Sequence, residues 1–170
     1  LQINLVSRKY PKNIQDLIKR FRRPYPTDIE YIRRLDKEYD IIRDKGFVDT
    51  FQRVSDIIDL IKQKNIPHVL RGSAASSLVC YQLGISDIDP IKEKIPLTRF
   101  MNLCRDTQPD VDLDVPHWIR DLLIEEFHEK HPNKVARISN KVMYKPKSAM
   151  REAIRKFGHR KFLPRYYKLE

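Results

Sequence analysis

The stretch Pro109-Asp110-Val111-Asp112-Leu113-Asp114-Val115 constrains this chain more than any other. Acidic and aliphatic residues alternate there with a period of two, the pattern of a half-buried β-strand. Residues two apart on a strand project to one face, with Cα atoms about 6–7 Å apart. Val111, Leu113 and Val115 are therefore predicted to enter a core, while Asp110, Asp112 and Asp114 line the other side. Three like charges on one strand face repel, and folding alone gives little reason to collect them. Two readings are open. A divalent cation would remove the repulsion, and hard cations such as Mg²⁺ prefer carboxylate oxygen. Alternatively, the acids guard an edge strand against aggregation.

Charge distribution bears on that choice. The 170-residue chain carries a net +11, and residues 131–170 hold twelve of its Lys and Arg against Glu152 and Glu170 alone, a net of +10. A basic segment beside an acidic strand suits a polyanion held over a metal site; a solvated basic tail is the plainer reading. No apolar run approaches membrane-spanning length and the start lacks a signal-peptide pattern, so a cytoplasmic protein without a membrane partner is expected. Cys80 and Cys104 have no metal-type spacing and read as reduced thiols.

The first part of the chain is helical in pattern. Asn13 is a candidate cap for a short helix running to Arg22, broken by Pro24-Tyr25-Pro26. Thr27 or Asp28 caps the next helix, with Ile29, Ile32, Leu35, Tyr39 and Ile42 at helical spacing and Gly46 at its end. A third helix is predicted from about Asp49 to Lys64, and the many charges of these helices read as the outer faces of amphipathic helices.

The texture then changes. Ile66-Pro67-His68-Val69-Leu70 is a short strand candidate, followed by Arg71-Gly72-Ser73-Ala74-Ala75-Ser76-Ser77 and a helix predicted from Ala74 to Leu83, closed by Gly84. A strand, a Gly-Ser turn and a helix N-terminus together can hold an anion through free backbone N–H groups and the helix dipole. Gly72 permits close backbone approach, Ser73 adds a hydroxyl and Arg71 a fork matched to phosphate. Small residues before a helix also serve plain packing. Asp87 and Asp89 precede Pro90 and read as turn-capping residues. Beyond the acidic strand, Pro116 opens a helix to Lys130 with Trp118, Leu122, Leu123 and Phe127 predicted inward. His128 and His131 read as surface residues, and 135–139 as a possible strand. Pro146 to Phe157 reads as a basic helix stopped by Gly158, with Lys147, Arg151 and Arg155 on one face.

Four runs, taken in order, carry a resemblance: 71–79 (RGSAASSLV), 83–90 (LGISDIDP), 99–102 (RFMN) and 109–114 (PDVDLD). Together they resemble the palm of family C DNA polymerases, the replicative alpha subunits of bacterial DNA polymerase III. The stretch from Tyr31 to Ile66 is similar to that family's helical lead-in. The resemblance implies an α/β (α+β) fold: a polymerase-β-like nucleotidyltransferase palm whose small mixed sheet is flanked by helices. Residues 1–65 would form a helical lead-in packed on the palm, 66–158 the palm core and 159–170 a basic tail. It further implies that Asp112 and Asp114 hold two Mg²⁺ ions. Gly72 and Ser73 would contact the incoming deoxynucleoside triphosphate, and Arg71 and Arg105 would neutralise phosphate charge. Lys147 and Arg151 would follow phosphates of the nucleotide or of primer-template DNA, and Asp110 would act from the outer shell. The implied activity is template-directed addition of deoxynucleotides to a primer 3′-hydroxyl by two-metal phosphoryl transfer.

This sequence departs from the family in several places. Ser76 stands where the family usually has Gly, His68-Val69-Leu70 replaces a glycine-containing approach, and Asn140-Lys141-Val142 stands where Thr-Phe-Gly is usual. A third catalytic carboxylate, expected on a later strand, has no candidate, because the acids after Asp114 fall in helical contexts or at the terminus. The resemblance thus implies a polymerase fragment or a reduced relative, inactive by itself, whose partners are other domains or subunits of a replicative polymerase. Two other readings stay open. One is a catalytically inactive nucleic-acid-binding module derived from such a palm. The other is a different polymerase-β-like nucleotidyltransferase acting on a small substrate or an RNA end.

Overall fold

A computed structural model describes residues 10–102, 104, 107–138 and 140–156. It is mixed α/β, mostly helical, with one two-stranded antiparallel sheet. The chain divides into two compact units, with the boundary between Leu123 and Ile124.

The first unit begins with three helices. Helix α1 (Lys12–Ile18) buries Ile14 and Leu17. Its N-cap is Pro11 rather than the expected Asn13, whose side chain accepts only from the adjacent Ile14 N–H at 2.9 Å. Residues up to Arg22 continue as turns and not as helix. Helix α2 (Ile29–Asp44) is capped by Asp28, which accepts from the Glu30 N–H. It ends, as predicted, at Gly46 with φ +69°, where the Phe47 N–H reaches back to the Ile42 carbonyl at 2.8 Å. Helix α3 (Val48–Gln63) buries Phe51, Ile58 and Ile61. Leu35, Tyr39 and Ile42 from α2 join Phe51 and Ile58 in one core with Leu78, Val79 and Leu83, the segment that follows the Gly-Ser turn. Phe100 closes on Phe51 edge to face, with centroids 6.2 Å apart.

Strand β1 (Val69–Arg71) pairs antiparallel with β2 (Asp112–Asp114) in the register Val69–Asp114, Leu70–Leu113, Arg71–Asp112. The expected small mixed sheet is thus a single antiparallel pair among the described residues. Leu70, Val111 and Leu113 pack on the core, as their alternation requires. Between β1 and the next helix the chain differs from expectation. Residues Gly72–Ser76 form a 3₁₀ turn, Ser77 is extended, and helix α4 is only Leu78–Gln82. The cause is Ser77, whose hydroxyl caps α4 by accepting from the Cys80 N–H at 3.1 Å. Both cysteines are free, as expected; burial pushes the Cys80 thiol up to about 12, while Cys104 is exposed.

Asp89 does the turn work expected of it. It accepts from the Ile91 and Lys92 N–H groups and from the Tyr31 hydroxyl. Asp87 pairs with Arg23. Helix α5 (His117–Lys130) follows β2. Leu123 is buried, but Trp118 and Leu122, predicted inward, are 74% and 50% exposed and Phe127 is only partly covered. In the second unit, residues 135–138 form no strand, contrary to expectation, and Ile138 stands exposed. Helix α6 (Pro146–Lys156) carries the basic face; the expected stop at Gly158 lies outside the described residues. Among the described residues, no helix is long and apolar enough to cross a membrane.

Candidate functional site

The β1–β2 ladder assembles the residues that the sequence singled out. Inward, Leu70 faces Leu113; outward, Arg71 lies opposite Asp112, and Val69 opposite Asp114. Asp112 and Asp114 are both exposed on this outer face. Diagonal neighbours across an antiparallel pair lie within reach of long side chains, and Arg71 Nε sits 2.7 Å from Asp114 Oδ2. That pair is 66% and 51% exposed, so it adds at most about 1 kcal/mol to folding.

Gly72 brings the turn against the acids. Its φ is +77°, and a Cβ placed on it would stand 3.3 Å from Asp112 Oδ2. The absence of a side chain leaves room beside that carboxylate. Ser73 follows in the same 3₁₀ turn, its carbonyl accepting from the Ser76 hydroxyl at 2.7 Å. Ser76, where glycine was the family expectation, therefore ties the turn to itself.

The helix N-terminus that follows the Gly-Ser turn is occupied from within the chain by Glu38. This fully buried carboxylate on α2 accepts from the Leu78 N–H at 2.8 Å, the Val79 N–H at 3.0 Å and the Ser77 hydroxyl at 2.7 Å. The start of α4 thus already holds an anion from within the chain. Burial pushes the Glu38 carboxyl above its ordinary range, against the pull of those three donors and of Arg34. Arg34 meets Glu38 at 2.9 Å and donates to the carbonyls of Ser76 at 2.6 Å and Ile95 at 3.2 Å. Sequence reasoning missed this pair by treating the charges of α2 as solvated. The signal was the register: Glu38 falls inside the stripe of Leu35, Tyr39 and Ile42.

Asp112, Asp114, Arg71 and Gly72 are thus brought together, with Ser73 beside them. Asp110 is exposed just before the strand. Lys147 and Arg151 stand exposed on α6 in the second unit, four residues apart and on one helix face. Arg105 lies outside the described residues. Among the described residues no group of three or more Asp, Glu, His or Cys is placed to share a metal. The donor set is an aspartate pair: hard oxygen donors on one strand face, exposed, with space left by Gly72. It fits Mg²⁺, which binds through one or two carboxylates with substrate phosphates completing its shell.

Residues 6–168 match the family described as the bacterial DNA polymerase III alpha NTPase domain. Among similar proteins, the DNA polymerase III subunit alpha of Ureaplasma parvum is 44% identical over 132 residues, covering 75% of this chain and 13% of that protein. The error-prone DNA polymerase of Cutibacterium acnes is 36% identical over 127 residues, 74% of this chain and 11% of the relative. That of Bdellovibrio bacteriovorus is 32% identical over 137 residues, 79% and 13% of the two chains. The chain therefore spans only a small part of the length of these relatives.

Proposed function

Because the chain belongs to the bacterial DNA polymerase III alpha family, we propose that it forms the nucleotide- and metal-binding part of a polymerase-β-like palm. The reaction served is template-directed addition of deoxynucleotides to a primer 3′-hydroxyl. One observation carries this reading: the antiparallel register sets Arg71 against Asp112 and Asp114, and the side-chain-free Gly72 against the Asp112 carboxylate. Acids and a guanidinium beside an open turn are the parts that phosphoryl transfer needs, since its catalysis is mostly positioning and charge stabilisation.

Asp112 and Asp114 would hold the Mg²⁺ ions. Bound there, the metal supplies activation of the primer hydroxyl and neutralisation of the leaving pyrophosphate. The chain's own groups do the rest. Gly72 lets the triphosphate approach the backbone, and Ser73 offers it hydroxyl and amide donors. Arg71 exchanges its exposed carboxylate partner for phosphate oxygens, which its planar fork matches. Arg105 adds a further positive charge. Lys147 and Arg151 bind phosphates of the primer-template DNA. A third carboxylate would come from other domains of a longer polypeptide, so the chain alone binds without turning over.

A second reading, a catalytically inactive nucleic-acid-binding module, is favoured by the engagement of Asp114 with Arg71 and by the absence, among the described residues, of a group of three acids placed to share a metal. Calorimetric titration of a deoxynucleoside triphosphate, with and without Mg²⁺, separates the two. Mg²⁺-dependent binding that disappears in the Asp112→Asn/Asp114→Asn double variant is expected. DNA binding with no nucleotide binding at any Mg²⁺ concentration would select the inactive module.

A further inference from the structure

We infer that Arg34 and Glu38 form a positioning pair that fixes the Gly72–Ser73 turn from the interior of the helical unit. The inference rests on the nucleotide-binding reading of that turn. Its basis is the way one turn of α2 grips both ends of a short segment. Arg34 donates to the Ser76 carbonyl, at the end of the 3₁₀ turn, and to the Ile95 carbonyl on a separate stretch of chain. Glu38 receives Ser77, Leu78 and Val79, the next three residues. Ser76 passes the constraint inward through its hydroxyl to the Ser73 carbonyl. On the other side, Arg71 is held in the ladder opposite Asp112. Gly72 and Ser73 thus span a gap fixed at both ends, against the acidic face.

Stability alone is a poor explanation for the pair. Glu38 is fully buried and the Arg34 side chain is 15% exposed, and removing such charges from water consumes much of what their attraction returns. Apart from each other and the Ile95 carbonyl, the pair's partners are the Ser76 carbonyl, which accepts from Arg34, and the Ser77 hydroxyl and the Leu78 and Val79 N–H groups, which donate to Glu38, all in the segment leading from the turn into α4. The geometry is what the pair supplies. A lysine at position 34 would keep the charge but not the fork that reaches Glu38, Ser76 and Ile95 together.

The test uses this chain with Arg34→Lys and, as a milder variant that leaves the buried charges intact, Ser76→Ala. Two quantities are read: amide hydrogen exchange at residues 72–77 against that in α1 and α3, and the affinity for a deoxynucleoside triphosphate with Mg²⁺. In Arg34→Lys, exchange in the turn should rise and affinity fall by roughly tenfold each, the scale of one lost charge-assisted hydrogen bond, with exchange in α1 and α3 unaltered. Ser76→Ala should move both in the same direction by less. Faster exchange in the turn with unaltered nucleotide affinity would overturn the positioning role. Unaltered exchange in both variants would overturn the clamp itself. Should Arg34→Lys not fold, Ser76→Ala decides. Should the unmodified chain bind no nucleotide, the site reading fails separately, and the exchange data still decide whether the pair fixes the turn.

Discussion

Gly72 and Gly46 share a positive φ, +77° and +69°, in different surroundings. Both lie in the left-handed region, where a side chain costs about 1–2 kcal/mol. A Cβ at Gly46 would meet nothing within 4 Å, whereas at Gly72 it would press on Asp112 Oδ2 at 3.3 Å. Gly46→Ala should therefore lower stability in urea by about 1 kcal/mol and leave Mg²⁺-dependent nucleotide binding untouched. Gly72→Ala should cost at least as much and weaken that binding as well; equal binding in the two variants would contradict the role given to Gly72. Legibility in the sequence also differed residue by residue. The aspartates were readable because a period of two has one structural meaning when aliphatic residues fill the alternate positions. Glu38 was harder to read, because a glutamate on an amphipathic helix is ordinarily solvated: its register within the apolar stripe was the one local sign, and its three donors come from a distant segment.

At the level of elements, the strands were legible and their pairing was not. Val69–Arg71 and Asp112–Asp114 are three residues each and lie far apart in sequence, so nothing local sets their register. The predicted helix from Ala74 to Leu83 failed for a similar reason. Alanine and small residues propagate a helix readily, but a tertiary partner, Glu38, draws the Ser77 hydroxyl and breaks the run into a 3₁₀ turn and α4. Ser77 consequently does two jobs, capping α4 through Cys80 and donating to the buried carboxylate. Ser77→Ala should cost about 2–3 kcal/mol, a cap plus a buried hydrogen bond to a charged group, measurable by urea denaturation. A loss below about 0.5 kcal/mol, the scale of a surface substitution, would show that neither bond matters to folding. Helix α5 misled in the other direction. Its apolar residues are not confined to a single stripe, so the inward set of Trp118, Leu122, Leu123 and Phe127 was overdrawn, and only Leu123 is buried.

Across the whole molecule, charge is segregated along the chain. The net excess lies almost entirely in residues 131–170, while the acidic strand and its arginine belong to the first unit. This asymmetry needed only counting and was plain from the sequence, whereas the division of the chain within α5 was not. If Lys147 and Arg151 contact DNA phosphates, the Lys147→Ala/Arg151→Ala double variant should reduce the slope of log affinity against log salt by about 2. Fluorescence anisotropy with a labelled primer-template at several salt concentrations reads this directly, and an unchanged slope would remove both residues from the interface.

Trp118 is the chain's one tryptophan, and it stands largely in water with its ring edge to face with His117. Indole emission follows the polarity around the ring, and here that polarity is already close to what an unfolded chain would provide. Its colour is therefore nearly blind to melting of the helical core, which circular dichroism must follow instead. The same exposure makes the residue a built-in optical probe of encounter: whatever comes to lie over the first turns of α5 shifts the emission to shorter wavelength, with no label added.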